Sequence, residues 1–178
     1  MSELTMDGSV MEGLFVRELK PSGPFKDALA KIGFDMDKLQ PKYTEEIFRK
    51  AIEVATSYSY PTVTQHAAHF SLGERLIAGY FSTILGRVTA GIIPVIGAKR
   101  TLSRIAQLWQ VPQPGMKISA REGPEAWVVS FQNVAMSADL VAGIIQAAIR
   151  RVDKKLVCTV LLRAPGSGQV SVRLGSVA

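Results

Sequence analysis

Few side chains in this sequence have the type and spacing for chemistry. His66 and His69 stand three residues apart, which places both on one side of a helix and could begin a metal site. No HExxH pattern surrounds them and no acidic third ligand follows closely, so they fit one surface histidine and one packed, hydrogen-bonded histidine. Cys158 is the single cysteine. It lies among leucine and valine and reads as a small core residue, and alone it excludes an intrachain disulfide or a cysteine-based zinc cage. Ser167, in Gly166-Ser167-Gly168, has an incomplete GxSxG pattern and fits a hairpin turn better than a nucleophile elbow. Asp35 and Asp37 lack the calcium-loop pattern, and there is no Walker or GxGxxG sequence. No catalytic residue, metal site or cofactor is therefore expected, and the chain reads as a non-enzyme.

Charge and composition bound the partners. The 178 residues hold 21 Lys plus Arg and 15 Asp plus Glu, a net charge of +6. With 47% hydrophobic and 20% charged residues, the chain is neither disordered nor fibrous, and its length argues for one domain. Lys99, Arg100 and Arg104 fall on one predicted helix, while Arg150, Arg151, Lys154 and Lys155 gather at the end of another. Most simply these are solvated, dipole-matched helix faces. Their sharper reading makes Lys99, Arg100, Arg104, Arg150 and Arg151 the contacts for an acidic protein partner. Nucleic acid would require a basic stripe interleaved with stacking aromatics; only 7% of the chain is aromatic, mostly on apolar stripes, so none is expected.

The polar, acidic stretch Met1 to Val10 lacks the layout of a signal peptide, and a cytoplasmic protein is expected. The run Leu76 to Ala98 is about one membrane span long. It carries Arg87 together with Gly79, Gly86, Gly91, Pro94 and Gly97, and is read as two buried helical pieces bent near Gly86 or Gly91, not as an integral membrane segment.

The periodicity supplies the elements. Residues 1–9 read as a flexible tail and 10–178 as one domain, helical over 10–110. Phe25 to Ile32 is a short helix stopped by Gly33. Thr44 caps the next, with Glu45 and Glu46 in its first turn and Ile47, Phe48, Ala51, Ile52 and Ala55 on its apolar side. Pro61 to Phe70 starts a helix carrying both histidines. Leu72, Leu76, Tyr80 and Ile84 line the following one, and Leu102, Ile105, Ala106 and Trp109 another. Over 111–178 the period changes: Met116, Ile118 and Ala120 alternate on a strand, and Trp127, Val129 and Phe131 alternate on its partner. Ser137 then caps a strongly amphipathic helix ending near Val152, and Leu156 to Leu162 and Val170 to Leu174 form a second hairpin. The fold class is α+β, with hairpin, helix and hairpin building a four-stranded antiparallel sheet whose helices cover one face.

This order resembles the haem–nitric oxide/oxygen binding (H-NOX) fold. The local text is also similar to a paralogous myxobacterial family of unknown function near that fold. The residues carrying the resemblance are Glu12-Gly13-Leu14-Phe15-Val16-Arg17, Ile32-Gly33-Phe34-Asp35-Met36-Asp37, Leu72-Gly73-Glu74-Arg75-Leu76-Ile77-Ala78-Gly79-Tyr80 and Thr83-Ile84-Leu85-Gly86-Arg87. H-NOX domains hold haem iron through a histidine on the helix before the sheet. The comparable stretch here, Ile96 to Trp109, has none. Their Tyr-x-Ser-x-Arg motif for the haem propionates is matched here, in Trp127 to Asn133, only by Ser130. The resemblance thus implies the fold without its haem.

In that fold the space between helices and sheet holds the cofactor. Here it would hold a small apolar or fatty-acid-like ligand, with Ile84 and Trp109 among the binding residues and His69, Tyr80 and Arg87 as orienting polar groups. Arg87 is suited to a carboxylate because its planar fork matches two oxygens. The expected function is a sensory or ligand-binding signalling module. The alternative is a protein–protein interaction module without a small-molecule ligand.

Overall fold

The computed structural model describes residues 5–110, 112–113 and 115–175. It opens on a short strand, β1 (Thr5–Asp7), paired antiparallel with β2 (Lys42–Thr44) so that Met6 lies opposite Tyr43. Both side chains are buried. Residues 5–9 are therefore built into the fold, and the expectation of a tail to residue 9 is corrected there; residues 1–4 lie outside the described residues. Asp7 caps α1 (Gly8–Met11) through the Ser9 amide at 2.9 Å. The chain continues as a π-helix, Glu12–Leu19, and stops at Lys20 in the left-handed region.

Next come α2 (Pro24–Lys31) and α3 (Glu45–Ser59), the latter capped by Thr44 through the Ile47 amide at 3.3 Å. The two helices expected between Pro61 and Ile84 are one, α4 (Gln65–Ser82), capped by Thr64. The chain then turns by 103° into α5 (Ile84–Ser103). Thr83 makes this corner: its Oγ1 donates to the Tyr80 carbonyl at 2.7 Å and accepts from the Gly86 amide at 3.1 Å. A second break falls at Gly97, whose φ of 77° no other residue type adopts cheaply. The bends thus lie at Thr83 and Gly97, not at Gly86 or Gly91. Nor is this run wholly buried, because Ile84, Leu85, Val88, Ile92 and Val95 face outward.

After α6 (Ile105–Trp109), strands β3 (Lys117–Glu122) and β4 (Trp127–Gln132) form a hairpin. Helix α7 (Ala138–Ile149) follows, then the hairpin of β5 (Val157–Ala164) and β6 (Ser167–Arg173). The sheet is antiparallel in the order β3-β4-β6-β5. The α+β class and the four-stranded antiparallel sheet are as the sequence predicts.

Helix α7 lies between α4 and the second hairpin, and every residue of it except Ala147 is buried. Two glycines allow the close approach. A Cβ on Gly73 would overlap the Leu140 carbonyl oxygen, and one on Gly143 that of Phe70. Among the described residues no single helix is long and apolar enough to cross a membrane; α4 and α5 pass that test only as a bent pair.

Candidate ligand cavity

The helices leave one strongly apolar cavity among the pockets of the described residues. Leu76, Ile77, Tyr80 and Phe81 of α4 line it together with the inner side of α5, helix α6, and Ile144, Ile145, Ala148 and Ile149 of α7. The space open to the centre of a water-sized sphere is about 70 Å³. One water needs roughly 10–15 Å³ of such space, and pockets for drug-sized ligands run to roughly 300–1,000 Å³. The cavity therefore takes a small molecule or one end of a longer one.

Two polar atoms of wall residues have no partner among the described residues. Tyr80 is 3% exposed and Trp109 8% exposed, and neither Tyr80 Oη nor Trp109 Nε1 makes a hydrogen bond among the described residues. Burial pushes the Tyr80 phenol above its ordinary range and outweighs the opposing influence of the neighbouring Thr89 hydroxyl, whose geometry falls short of a hydrogen bond. The phenol thus keeps its proton, and the indole N–H is a donor by nature. An unmet buried polar group costs about 1–3 kcal/mol.

Of the five residues expected around a ligand, the structure brings Tyr80 and Trp109 together on the cavity and leaves three outside it. Ile84 is an exposed residue of the first turn of α5. Arg87 is exposed and donates to the Ser82 carbonyl at 3.3 Å. His69 sits at the other end of α4, with Nδ1 2.7 Å from Ser137 Oγ. Among the described residues no cationic side chain lines the cavity, so none of them is placed there to clamp a carboxylate.

Haem does not fit this site. Among the described residues the wall offers neither histidine nor cysteine, its phenol is held protonated, and no arginine or lysine lines it for propionates. A space of about 70 Å³ is also far below what a macrocycle requires.

The histidines belong to a polar cluster at the start of α7. Arg163 grips the buried Asp139 in two hydrogen bonds of 3.0 and 2.7 Å, and His66 Nδ1 lies 2.9 Å from the same carboxylate. Burial pushes the Asp139 carboxyl up, but the Arg163 and His66 contacts outweigh it and hold it below its usual range. Ser137 Oγ accepts the Leu140 amide as the helix cap. His69 is driven down by burial, against a smaller opposing pull from Asp139. Among the described residues the Ser137–His69 pair has no carboxylate hydrogen-bonded to its imidazole, and Asp139 is engaged by His66 and Arg163. No group of three or more metal-binding side chains occurs among the described residues.

The basic residues divide into two groups. Arg150 donates to the Leu156 carbonyl at 3.2 Å, and the Arg151 guanidinium lies 5.2 Å from the centre of the Phe81 ring. Both are engaged within the chain. Lys99 reaches Glu122 at 3.1 Å, whereas Arg100 and Arg104 are exposed and form no ion pair among the described residues.

This architecture is that of an H-NOX-like domain. An H-NOX protein from S. oneidensis in the Fe(II)NO ligation state superposes with a TM-score of 0.73 at 11% identity, covering 96% of this chain and 100% of that one. A mutant of the T. tengcongensis H-NOX gives 0.67 at 12%, over 96% and 98%. An oxygen-binding H-NOX domain related to soluble guanylate cyclases gives 0.64 at 15%, over 96% and 93%. Identities this low establish the fold alone. No curated protein matches the sequence. The chain belongs to the family described as "Protein of unknown function (DUF2378)", whose model matches residues 4–173.

Proposed function

We propose that this chain is a non-enzymatic, haem-free sensory module of the cytoplasm that binds a small, neutral, mostly apolar molecule bearing a hydrogen-bond acceptor. The observation that carries this reading is the pair of buried donors without a partner among the described residues, Tyr80 Oη and Trp109 Nε1, on residues that line a mostly apolar wall. An apolar pocket with a few polar groups is the usual form of a small-ligand site, the apolar wall giving affinity and the polar groups orientation. The fold supports the reading by analogy, since two of the similar structures are described as a nitric oxide-ligated and an oxygen-binding protein. Because the cavity lacks a cation, a ketone, ester or alcohol suits it better than a carboxylate.

The test is thermal unfolding of the chain with 2-hexanone, 1-hexanol and hexanoate as probes. A ligand that binds only the folded state raises Tm in a saturable way. The ketone and alcohol should do so, hexanoate should not, and the Tyr80→Phe/Trp109→Phe double variant should lose the response. Absence of stabilisation by either neutral probe, or an unchanged response in the double variant, would overturn the reading.

A further inference from the structure

The outer face of α5 has no partner among the described residues. Ile84, Leu85, Val88, Ile92 and Val95 are exposed there, with Ile84 at 88%, Val88 at 64% and Val95 at 84%. At 3.6 residues per turn these five positions fall within an arc of about 100°. They form one continuous stripe on the helix, while Ile93 on the opposite side is buried against the cavity.

Charge is distributed just as unevenly. From Arg75 to Arg121 the sequence holds seven of the 21 basic residues and none of the 15 acidic ones. The rest of the chain has 14 basic and 15 acidic side chains, so the whole positive net charge resides in the segment that carries the stripe. Arg87 stands near one end of the exposed helix, and Lys99, Arg100 and Arg104 follow the other, all four exposed.

We infer that this face is a docking surface for an anionic lipid bilayer, with the first part of α5 lying in the plane of the interface and its apolar stripe among the acyl chains. Lys99 is paired with Glu122 at 3.1 Å, which leaves Arg87, Arg100 and Arg104 as the flanking cations without an ion pair among the described residues; an apolar helical face with flanking cations is the composition such interfacial helices require. A protein partner is the poorer match. Protein interfaces carry roughly one hydrogen bond per 100–200 Å², and over Ile84–Ile96 the polar side chains are only the exposed Arg87 and the half-buried Thr89. A bilayer interior asks for no such bonds. The inference stands independently of the cavity ligand.

The experiment is co-sedimentation of the full chain with phosphatidylcholine vesicles, with and without equimolar phosphatidylglycerol. Binding should be at least about tenfold tighter to the anionic vesicles, and weakened in about 1 M salt, where charges are screened beyond roughly 3 Å. The Val88→Glu/Val95→Glu double variant changes only exposed positions, so its circular dichroism and Tm should match the parent while vesicle binding is lost. Arg100→Gln/Arg104→Gln should lower both the affinity and its salt dependence. Failure to bind anionic vesicles at low salt would overturn the inference, as would parental binding by Val88→Glu/Val95→Glu. So would a concentration-dependent dimer that this double variant dissolves, because a second copy would then cover the face.

Discussion

Tyr80 and Trp109, on different helices and 29 positions apart in the sequence, line the same apolar cavity, and each carries a buried donor with no partner among the described residues. A core selected for stability alone would hold phenylalanine at Tyr80. Tyr80→Phe should therefore stabilise the ligand-free chain by about 1 kcal/mol, the lower part of the cost of an unmet buried polar group. Urea denaturation measures this. The same substitution should reduce stabilisation by 2-hexanone, so that stability and binding move in opposite directions.

The crossing of α4 and α7 depends on backbone contact at Gly73 and Gly143. Gly143→Ala should destabilise the chain by about 1–3 kcal/mol, because the added methyl overpacks against the Phe70 carbonyl. Gly91 is the control. It is exposed on α5 with open space around its Cβ position, and Gly91→Ala should stabilise by up to about 1 kcal/mol through helix propensity. Comparing the two by chemical denaturation separates steric need from the general cost of helical glycine.

Acid should weaken the fold through Asp139. Its carboxyl is held below the usual range in the folded chain, so the unfolded chain takes up the proton first as pH falls. The stabilisation is present above the unfolded pKa of about 4 and declines below it. His69 acts in a separate window: its folded pKa is depressed by burial, so stability is complete above about 6.5 and falls as the unfolded chain protonates below that. Asp139→Asn should flatten the lower window, and His69→Gln the upper one. Urea midpoints across the pH range report both.

Cys158 should be chemically silent in the folded chain. Burial pushes its thiol up to about 12, and alkylation needs the thiolate. Iodoacetamide at pH 8 should label it only after denaturation, which mass spectrometry can follow.

The elements with a clean period were legible in the sequence. Thr44 and Ser137 mark the starts of α3 and α7 because each supplies the capping oxygen the first turn needs. The alternation of Trp127, Val129 and Phe131 marks β4, since a half-buried strand requires it. What was not legible lacked a local signal. Strand β1 has one buried residue, Met6, and owes its conformation to pairing with β2 some 37 positions later. The π-helix Glu12–Leu19 departs from the 3.6-residue period on which helix patterns rest.

The candidate site was legible only in part. Tyr80 and Trp109 show as polar-tipped aromatics on apolar stripes, whereas Arg87 and Ile84 went elsewhere because the corner at Thr83 turns the start of α5 outward. Apolar text there meant exposure rather than core. The contact of Arg163 and His66 with Asp139 joins residues 24 and 73 positions away, a distance over which a single sequence shows no pattern. The cue on Asp139 itself was its place in the first turn of α7, which helix-dipole preference already explained.

The most direct test of the cavity reading is native mass spectrometry of the purified chain, with an absorption spectrum of the same sample before and after incubation with 2-hexanone. The account predicts no Soret band and a mass increment matching either a co-purified small neutral molecule or the added ketone. A Soret band with the mass of haem would contradict it, and so would a polypeptide that stays bare in the presence of the ketone.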